Sequence, residues 1–316
     1  MKKKLTIIIS IVLLVSIVII DKFEPFDLLK DEDLNQGNIS DADLSFSVLS
    51  DIHNNDERLT KAIKDLHKIN CQMDAMILNG DTVDQGIDEQ YENIAKVLEK
   101  NSSKLPNKII KNMGNHEYYN YDADTCTEQD LKDRQNKYLN FSGYDKIYHD
   151  EWVKGYHFIS LGSDSNKVSE LNNTGACISD EQINWLKSKI EEKYEKGKPI
   201  FIFLHQPING KFFELNVYST NRSKEIEKIL CQYPEVVLFS SHNHIKPDEE
   251  NDKSFKPVTV STGSVNANFV RDKSNKYGYS SDDSFSNGIY VEVKGNKVIV
   301  KARDFLNKDW IYTREI

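Results

Sequence analysis

The stretch Phe46-Ser47-Val48-Leu49-Ser50-Asp51-Ile52-His53 decides how this chain is read. A short apolar-rich run, the length of a buried strand, breaks into a polar cluster with an aspartate and a histidine two residues apart. The same construction recurs four times. Ala75–Leu78 leads into Asn79-Gly80-Asp81-Thr82-Val83-Asp84, and Ile109–Met113 into Gly114-Asn115-His116-Glu117. Ile200–Leu204 leads into His205-Gln206-Pro207, and Val236–Phe239 into Ser240-Ser241-His242-Asn243-His244. Ligands of open α/β sheets bind beyond the carboxyl ends of the strands. Five polar clusters at five strand ends therefore predict one shared site.

Working outward, further apolar runs stand at Phe158–Leu161 and Val258–Val260. Helical patterns fall between the runs, over Asn55–Lys68, Glu89–Lys100, Asp180–Lys196 and Arg222–Cys231. This alternation predicts an α/β fold. Near the C-terminus, Gly288–Val293 and Lys297–Arg303, separated by Lys-Gly-Asn, predict a β-hairpin. No internal repeat and no second linker is visible, so residues 41–316 read as one domain.

Five of the eight histidines (His53, His116, His205, His242 and His244) lie at the strand ends. A lone histidine is ordinarily a packed or surface imidazole. Here Asp and Asn accompany the histidines at equivalent positions, and that donor set suits a divalent cation of intermediate hardness. Gly80 and Gly114 let the backbone turn so that the next side chain faces the site.

Asp-x-His, Gly-Asp-x-x-Asp, Gly-Asn-His-Glu, a single His and His-x-His, in that order from Phe46 to about Pro247, resemble the calcineurin-like metallophosphoesterase superfamily. The resemblance implies a four-layer α-β-β-α sandwich of two mixed sheets flanked by helices. It also implies two divalent metal ions. Asp51, His53 and His244 would hold the first, and Asn115, His205 and His242 the second, with Asp81 bridging. His116 would face the substrate as the catalytic residue and Asp84 would orient it. A hydroxide shared by the metals would attack phosphorus in line. Donors of this kind fit Mn, Fe, Zn, Co or Ni.

Two positions depart from the pattern. Ser241 replaces the glycine that usually opens the last motif, a change expected to do little damage. Gln85-Gly86 replaces the Arg-Gly of the phosphoprotein-phosphatase branch, which removes an arginine fork for a phosphate dianion and argues against that branch. The whole chain has six arginines against 35 lysines. A monoester dianion usually wants an arginine fork and a diester monoanion depends less on one, so this scarcity leans toward phosphodiesters. A phosphomonoesterase or nucleotidase of the same fold is the alternative, and a catalytically silent metal-binding scaffold is the alternative from another class. Tyr118, Tyr119 and Tyr121 could stack on a substrate or pack beneath a loop. Arg222, Asn266, Asn268 and Arg271 are further candidate substrate contacts.

Lys2, Lys3 and Lys4 precede the uncharged run Leu5–Ile20, with no small-residue cleavage site after it. This pattern predicts an N-terminal membrane helix over 1–20, a signal-anchor with the lysines in the cytoplasm and the body outside. Residues 21–40 read as a stalk; if the first segment were cleaved the protein would be secreted. The chain carries 41 basic and 50 acidic residues, a formal charge of −9. Three of those lysines and none of the acids lie in the first twenty residues, which leaves −12 on the remainder. An acidic body of this kind excludes nucleic-acid coating and fits a small phosphate-ester substrate held by metal. Four cysteines, without metal-site spacing, allow three pairings in an oxidising compartment; Cys126–Cys177 is the pairing favoured, with four buried thiols as the alternative.

Overall fold

The computed structural model describes residues 38–122, 127–165, 174–208, 220–248, 257–272, 274 and 278–316. The expected membrane helix and most of the expected stalk lie outside these residues. Among the described residues, no helix is long and apolar enough to cross a membrane. The end of the expected stalk already touches the body. The Asn38 amide donates to the Lys68 carbonyl, and Ser40 Oγ donates to Glu292.

Two mixed sheets form the frame. The first has strand order β13-β12-β11-β1-β2-β3. Its parallel part is β1 (Leu44–Leu49), β2 (Ala75–Asn79) and β3 (Lys108–Asn112). The predicted hairpin, β11 (Asn287–Lys294) and β12 (Lys297–Asp304), joins β1 antiparallel, and β13 (Asp309–Glu315) pairs with β12. The second sheet has order β4-β5-β6-β7-β8. Here β5 (Tyr156–Ser160), β6 (Ile200–Phe203), β7 (Val236–Ser240) and β8 (Val258–Ser261) are parallel, and β4 (His149–Val153) closes the edge antiparallel to β5. A separate pair, β9 (Asn268–Arg271) and β10 (Tyr279–Asp282), stands apart.

The inner faces of the sheets meet in one apolar layer. Phe46, Val48, Ile77, Ile289 and Val291 of the first sheet pack with Phe158, Phe201, Phe203 and Phe239 of the second. The outer face of the first sheet is covered by α1 (Asp56–Ile69), α2 (Asp88–Lys100) and α3 (Glu128–Ser142). That of the second is covered by α4 (Asp180–Glu191) and α5 (Ser223–Leu230). Strands buried on both faces tend to read as apolar-rich runs, and most of the parallel strands here do so.

Three features differ from expectation. Helix α3 carries no sequence-predicted pattern, because only Leu131, Arg134 and Tyr138 of its fifteen residues are buried. Its ends are nonetheless well signalled, by the Thr127–Asp130 capping box and by left-handed Gly143. Helix α4 stops at Glu191 rather than Lys196, and Lys193 takes a left-handed φ of 55° just beyond it. Cys177 is a free thiol. The expected Cys126–Cys177 disulfide is therefore not formed on the Cys177 side, and Cys126 lies outside the described residues.

Candidate metal centre

All nine sequence-predicted site residues lie in the segments that follow strands of the two sheets, His116 at the start of a short 3-10 turn over His116–Tyr118. Asp51 and His53 follow β1, Asp81 and Asp84 follow β2, and Asn115 and His116 follow β3. His205 follows β6, and His242 and His244 follow β7. The site thus straddles both sheets at their carboxyl ends.

The loops are held in unusual backbone. Asp51 (φ 51°), His53 (48°), Asp81 (48°), His242 (70°) and His244 (54°) all occupy the left-handed region, which non-glycine residues seldom adopt. Such strain clusters at functional sites. Close packing accompanies it. A Cβ on Gly114 would fall 2.2 Å from Asp81 Oδ1, so this glycine is needed for the approach of two loops rather than for its own backbone angle.

Three groups of side chains converge closely enough to hold a metal ion: Asp51, His53 and His244; His53, Asp81 and His116; and Asp81, His205 and His242. His244 Nε2 lies 3.0 Å from Asp51 Oδ1, and His205 Nε2 lies 3.0 Å from Asp81 Oδ2. His53 Nε2 and His244 Nε2 face one another at 3.1 Å.

The tautomers follow from the acceptors behind each ring. The Nδ1 of His205 sits 2.8 Å from the Asn79 carbonyl, that of His244 3.0 Å from the Ala267 carbonyl, and that of His116 2.9 Å from the Asp84 carbonyl. His53 Nδ1 sits 3.3 Å from the Asp84 carboxylate. A carbonyl or carboxylate can only accept, so each Nδ1 carries the proton and each Nε2 keeps its lone pair. This is the outer support that metal-ligating histidines usually have.

Unsatisfied buried atoms test the fit to metal. Asp51 Oδ1, Asn115 Oδ1 and His205 Nε2 are buried without a hydrogen-bond partner. Leaving such acceptors unpaired is costly, and each is a good donor to a divalent cation. Burial pushes the Asp51 carboxyl up, but the His244 and His205 imidazoles outweigh it and hold it at about 2. Without a cation between them, burial pushes His205 down while Asp81 and Asp51 raise it to about 10, so a proton competes with a cation for its Nε2 lone pair. The two buried carboxylates are the negative charge that a cation would neutralise. Residues and site fit two divalent ions.

Asp84 lies further out than its assigned role suggested. The nearest acceptor of His116 Nδ1 is the Asp84 backbone carbonyl, and the carboxylate stands 3.4 Å away, shared with His53. The hydrogen bond from His53 lowers the Asp84 carboxyl, against its partial burial, with help from His116.

Sequence reasoning left Glu117 without a role. It is buried and accepts from the backbone amides of Asp81 (3.1 Å), Thr82 (2.9 Å) and Gly114 (2.7 Å), tying two site loops together. Burial first, and Asp81 next, push its carboxyl up to about 7. Its place in Gly-Asn-His-Glu was the available signal. Gln90 acts similarly, accepting from the amides of Asp84 and Gln85. Ser241 turns out to be engaged: its Oγ accepts from Asn79 Nδ2 at 3.0 Å and pairs with Thr262 Oγ1 at 2.9 Å.

The further candidates divide. Tyr118 is fully buried. Tyr119 packs on the His116 ring at 4.4 Å and its hydroxyl accepts from Asn115 Nδ2, while Tyr121 is exposed beside His116. Arg222 is engaged by Asp180 and Glu225, and Asn268 by the Ser264 backbone. Asn266 bonds Asn55 and the Asp51 carbonyl, at the edge of the site.

Two sheets that gather carboxylates, an amide and imidazoles at their carboxyl ends define a candidate dinuclear metal centre. Comparison with known proteins gives the family. The model of the calcineurin-like phosphoesterases matches residues 44–246, and the chain belongs to that family. Members typically bind two divalent metals. A "probable cyclic nucleotide phosphodiesterase" of Rhodococcus erythropolis is 25% identical over 151 residues, which cover 48% of this chain and 44% of that protein. The match therefore spans less than half of that relative's length. A dimetal phosphatase from Danio rerio has a TM-score of 0.59 at 12% identity, over 87% of this chain and 99% of that one. Purple acid phosphatase from yellow lupin has a TM-score of 0.58 at 10% identity, over 86% and 53%. These structural likenesses are of fold.

Proposed function

We propose that the protein is a membrane-anchored, extracytoplasmic, dinuclear-metal phosphoesterase that hydrolyses small phosphate esters, phosphodiesters ahead of monoesters. The observation that carries the reading is the convergence of Nε2 lone pairs and buried carboxylates at the ends of both sheets. Asp51, His53 and His244 would hold one ion, and Asn115, His205 and His242 the other, with Asp81 between them. Bound there, the ions would supply Lewis acidity and a hydrolytic nucleophile at neutral pH.

The chain's own residues do the rest. His116 Nε2 faces the reacting group and can give a proton to the leaving oxygen. The Asp84 carboxylate, negative at neutral pH, stabilises the imidazolium before that transfer. Glu117 and Gln90 keep the loops in register.

The preference for diesters rests on Gln85, which stands where the phosphoprotein phosphatases carry an arginine fork. Among the described residues, Arg58 is spent on backbone carbonyls of Asn266, Phe285 and Asp283, and Arg303 on Asp65. Gln85, where the phosphoprotein phosphatases carry arginine, accepts from the Tyr121 amide. A diester monoanion depends less on such a fork than a monoester dianion. The name of the Rhodococcus relative points the same way. The anchor and the location rest on the three lysines and the apolar run that follows them.

The test is a panel of a phosphomonoester, a linear diester, a cyclic nucleotide and a pyrophosphate, with Mn-loaded protein. The reading expects kcat/KM highest for a diester. Turnover of none, with two metals bound, would favour a scaffold instead. Membrane association that survives alkaline carbonate would support the anchor, and full release would contradict it.

A further inference from the structure

A row of rings crosses the open side of the metal centre, and we infer that its two ends receive the two organic substituents of a phosphodiester. The inference rests on the phosphoesterase reading above and names its substrate class more closely.

The open side is identified by exposure. Asp51, Asp81 and His205 are buried, whereas the side chains of His116, His244 and Asp84 are 19%, 18% and 40% exposed. Substrate therefore arrives over His116 and His244. Between these lies His53, with ring centroids 4.4 Å from His116 and 4.9 Å from His244. The row continues outward at both ends. Beyond His116 come Tyr119, at 4.4 Å, and then Tyr121, 6.1 Å from Tyr119. Beyond His244 comes Phe269, at 6.2 Å.

Tyr121 is 60% and Phe269 38% exposed, and they are two of the five large apolar side chains left so open among the described residues. Both are fixed by the loops that build the site. Gln85 Oε1 accepts from the Tyr121 amide at 2.7 Å, and the Tyr121 hydroxyl lies 3.4 Å from His116 Nδ1. The Phe269 amide donates to the His244 carbonyl at 2.7 Å.

Rigid aromatic faces in water favour planar or apolar partners. An exposed ring at each end of this row matches a phosphate with two substituents. A monoester would leave one face bare. Gln85 thereby acquires a purpose: it stands where an arginine would grip a dianion, and it holds an aromatic flank instead. Tyr121, on the His116 side, takes the leaving group, and Phe269 takes the substituent that stays.

The test uses phosphinates, whose P–C bonds are not cleaved, so that binding is read without turnover. Full-length, Mn-loaded protein in detergent is titrated calorimetrically with dimethyl-, methylphenyl- and diphenylphosphinate. Each phenyl group is expected to tighten binding by about tenfold. Tyr121→Ala and Phe269→Ala should each erase one step, the double variant both, and Tyr121→Phe none. Equal affinity for the three ligands, no binding of any, or steps that persist in both alanine variants would overturn the inference. So would a Tyr121→Phe variant that behaves like alanine, since the hydroxyl and not the ring would then matter. Failure of the phosphoesterase reading shows separately, as a preparation that binds diphenylphosphinate but cleaves no ester.

Discussion

Phe46 and Asp51 stand five residues apart on one strand and its following loop, and both are fully buried. Their surroundings are opposite. Phe46 meets the rings of Phe158, Phe201, Phe203 and Phe239 at centroid distances of 4.8–6.5 Å, on an extended strand, inside the apolar layer between the sheets. Asp51 sits at a left-handed φ, with Oδ1 lacking any hydrogen bond and a second carboxylate, Asp81, close by. The interior between the sheets stabilises the fold. The rim costs stability, of order 1–3 kcal/mol for each strained residue, and holds its shape because the sheets below over-determine it. Burial therefore means different things in the two regions, and substitutions should separate them.

The largest effect belongs to the rim. Asp81→Ala removes the carboxylate common to two of the converging groups, so metal content should fall below two ions per chain and ester hydrolysis to background, with the circular dichroism of a folded chain. Metal content of two in that variant would break the distinction. His116→Ala should keep both metals and lose about 10²–10⁴ in kcat, the usual contribution of a positioned acid; loss of metal would make His116 a ligand.

Phe46→Ala is the reverse experiment. It should cost about 3–5 kcal/mol in denaturant unfolding, while the fraction that remains folded binds metal as before. A cost below about 1 kcal/mol would mean that the aromatic layer can collapse around the gap.

The smallest effect tests a buried polar group away from the rim. His149 is stacked on Tyr144 at 3.5 Å, with Nε2 3.1 Å from the Lys111 carbonyl. Burial pushes its imidazole down to about 4. The unfolded chain therefore takes up this proton first. The corresponding stability is complete above about pH 6.5 and is lost as pH falls toward 4, by roughly 3 kcal/mol at most. In His149→Gln the fall of stability between pH 6.5 and 4 should be shallower. An identical pH profile would show that His149 is not kept neutral by the fold.

Much of the frame was legible because most of the parallel strands are buried along their length and read as short apolar-rich runs. All seven of those runs became strands, within a residue or two at each end. The elements that went unread are thinly buried. Helix α3 shows three buried residues in fifteen, and β13 lies at the sheet edge with none. At the site, the residue types and their order were readable, since the chemistry requires them. The backbone was not: nothing in Asp51, His53 or His244 announces a left-handed residue. Nor was the division of labour around Asp84, whose carbonyl rather than its carboxylate is the nearest acceptor for His116. That is a matter of tenths of an ångström between two atoms of one residue. The choice between a Cys126–Cys177 pair and thiols stayed open for a related reason, because pairing depends on geometry that spacing does not carry.

The central claim is that the rim is a two-metal site. Its most direct test is the metal-to-protein ratio of the full-length chain, measured by elemental analysis after loading with Mn and removal of excess. The account predicts two ions per folded chain, in the parent and in His116→Ala alike. One ion or none, in protein shown to be folded, would contradict it.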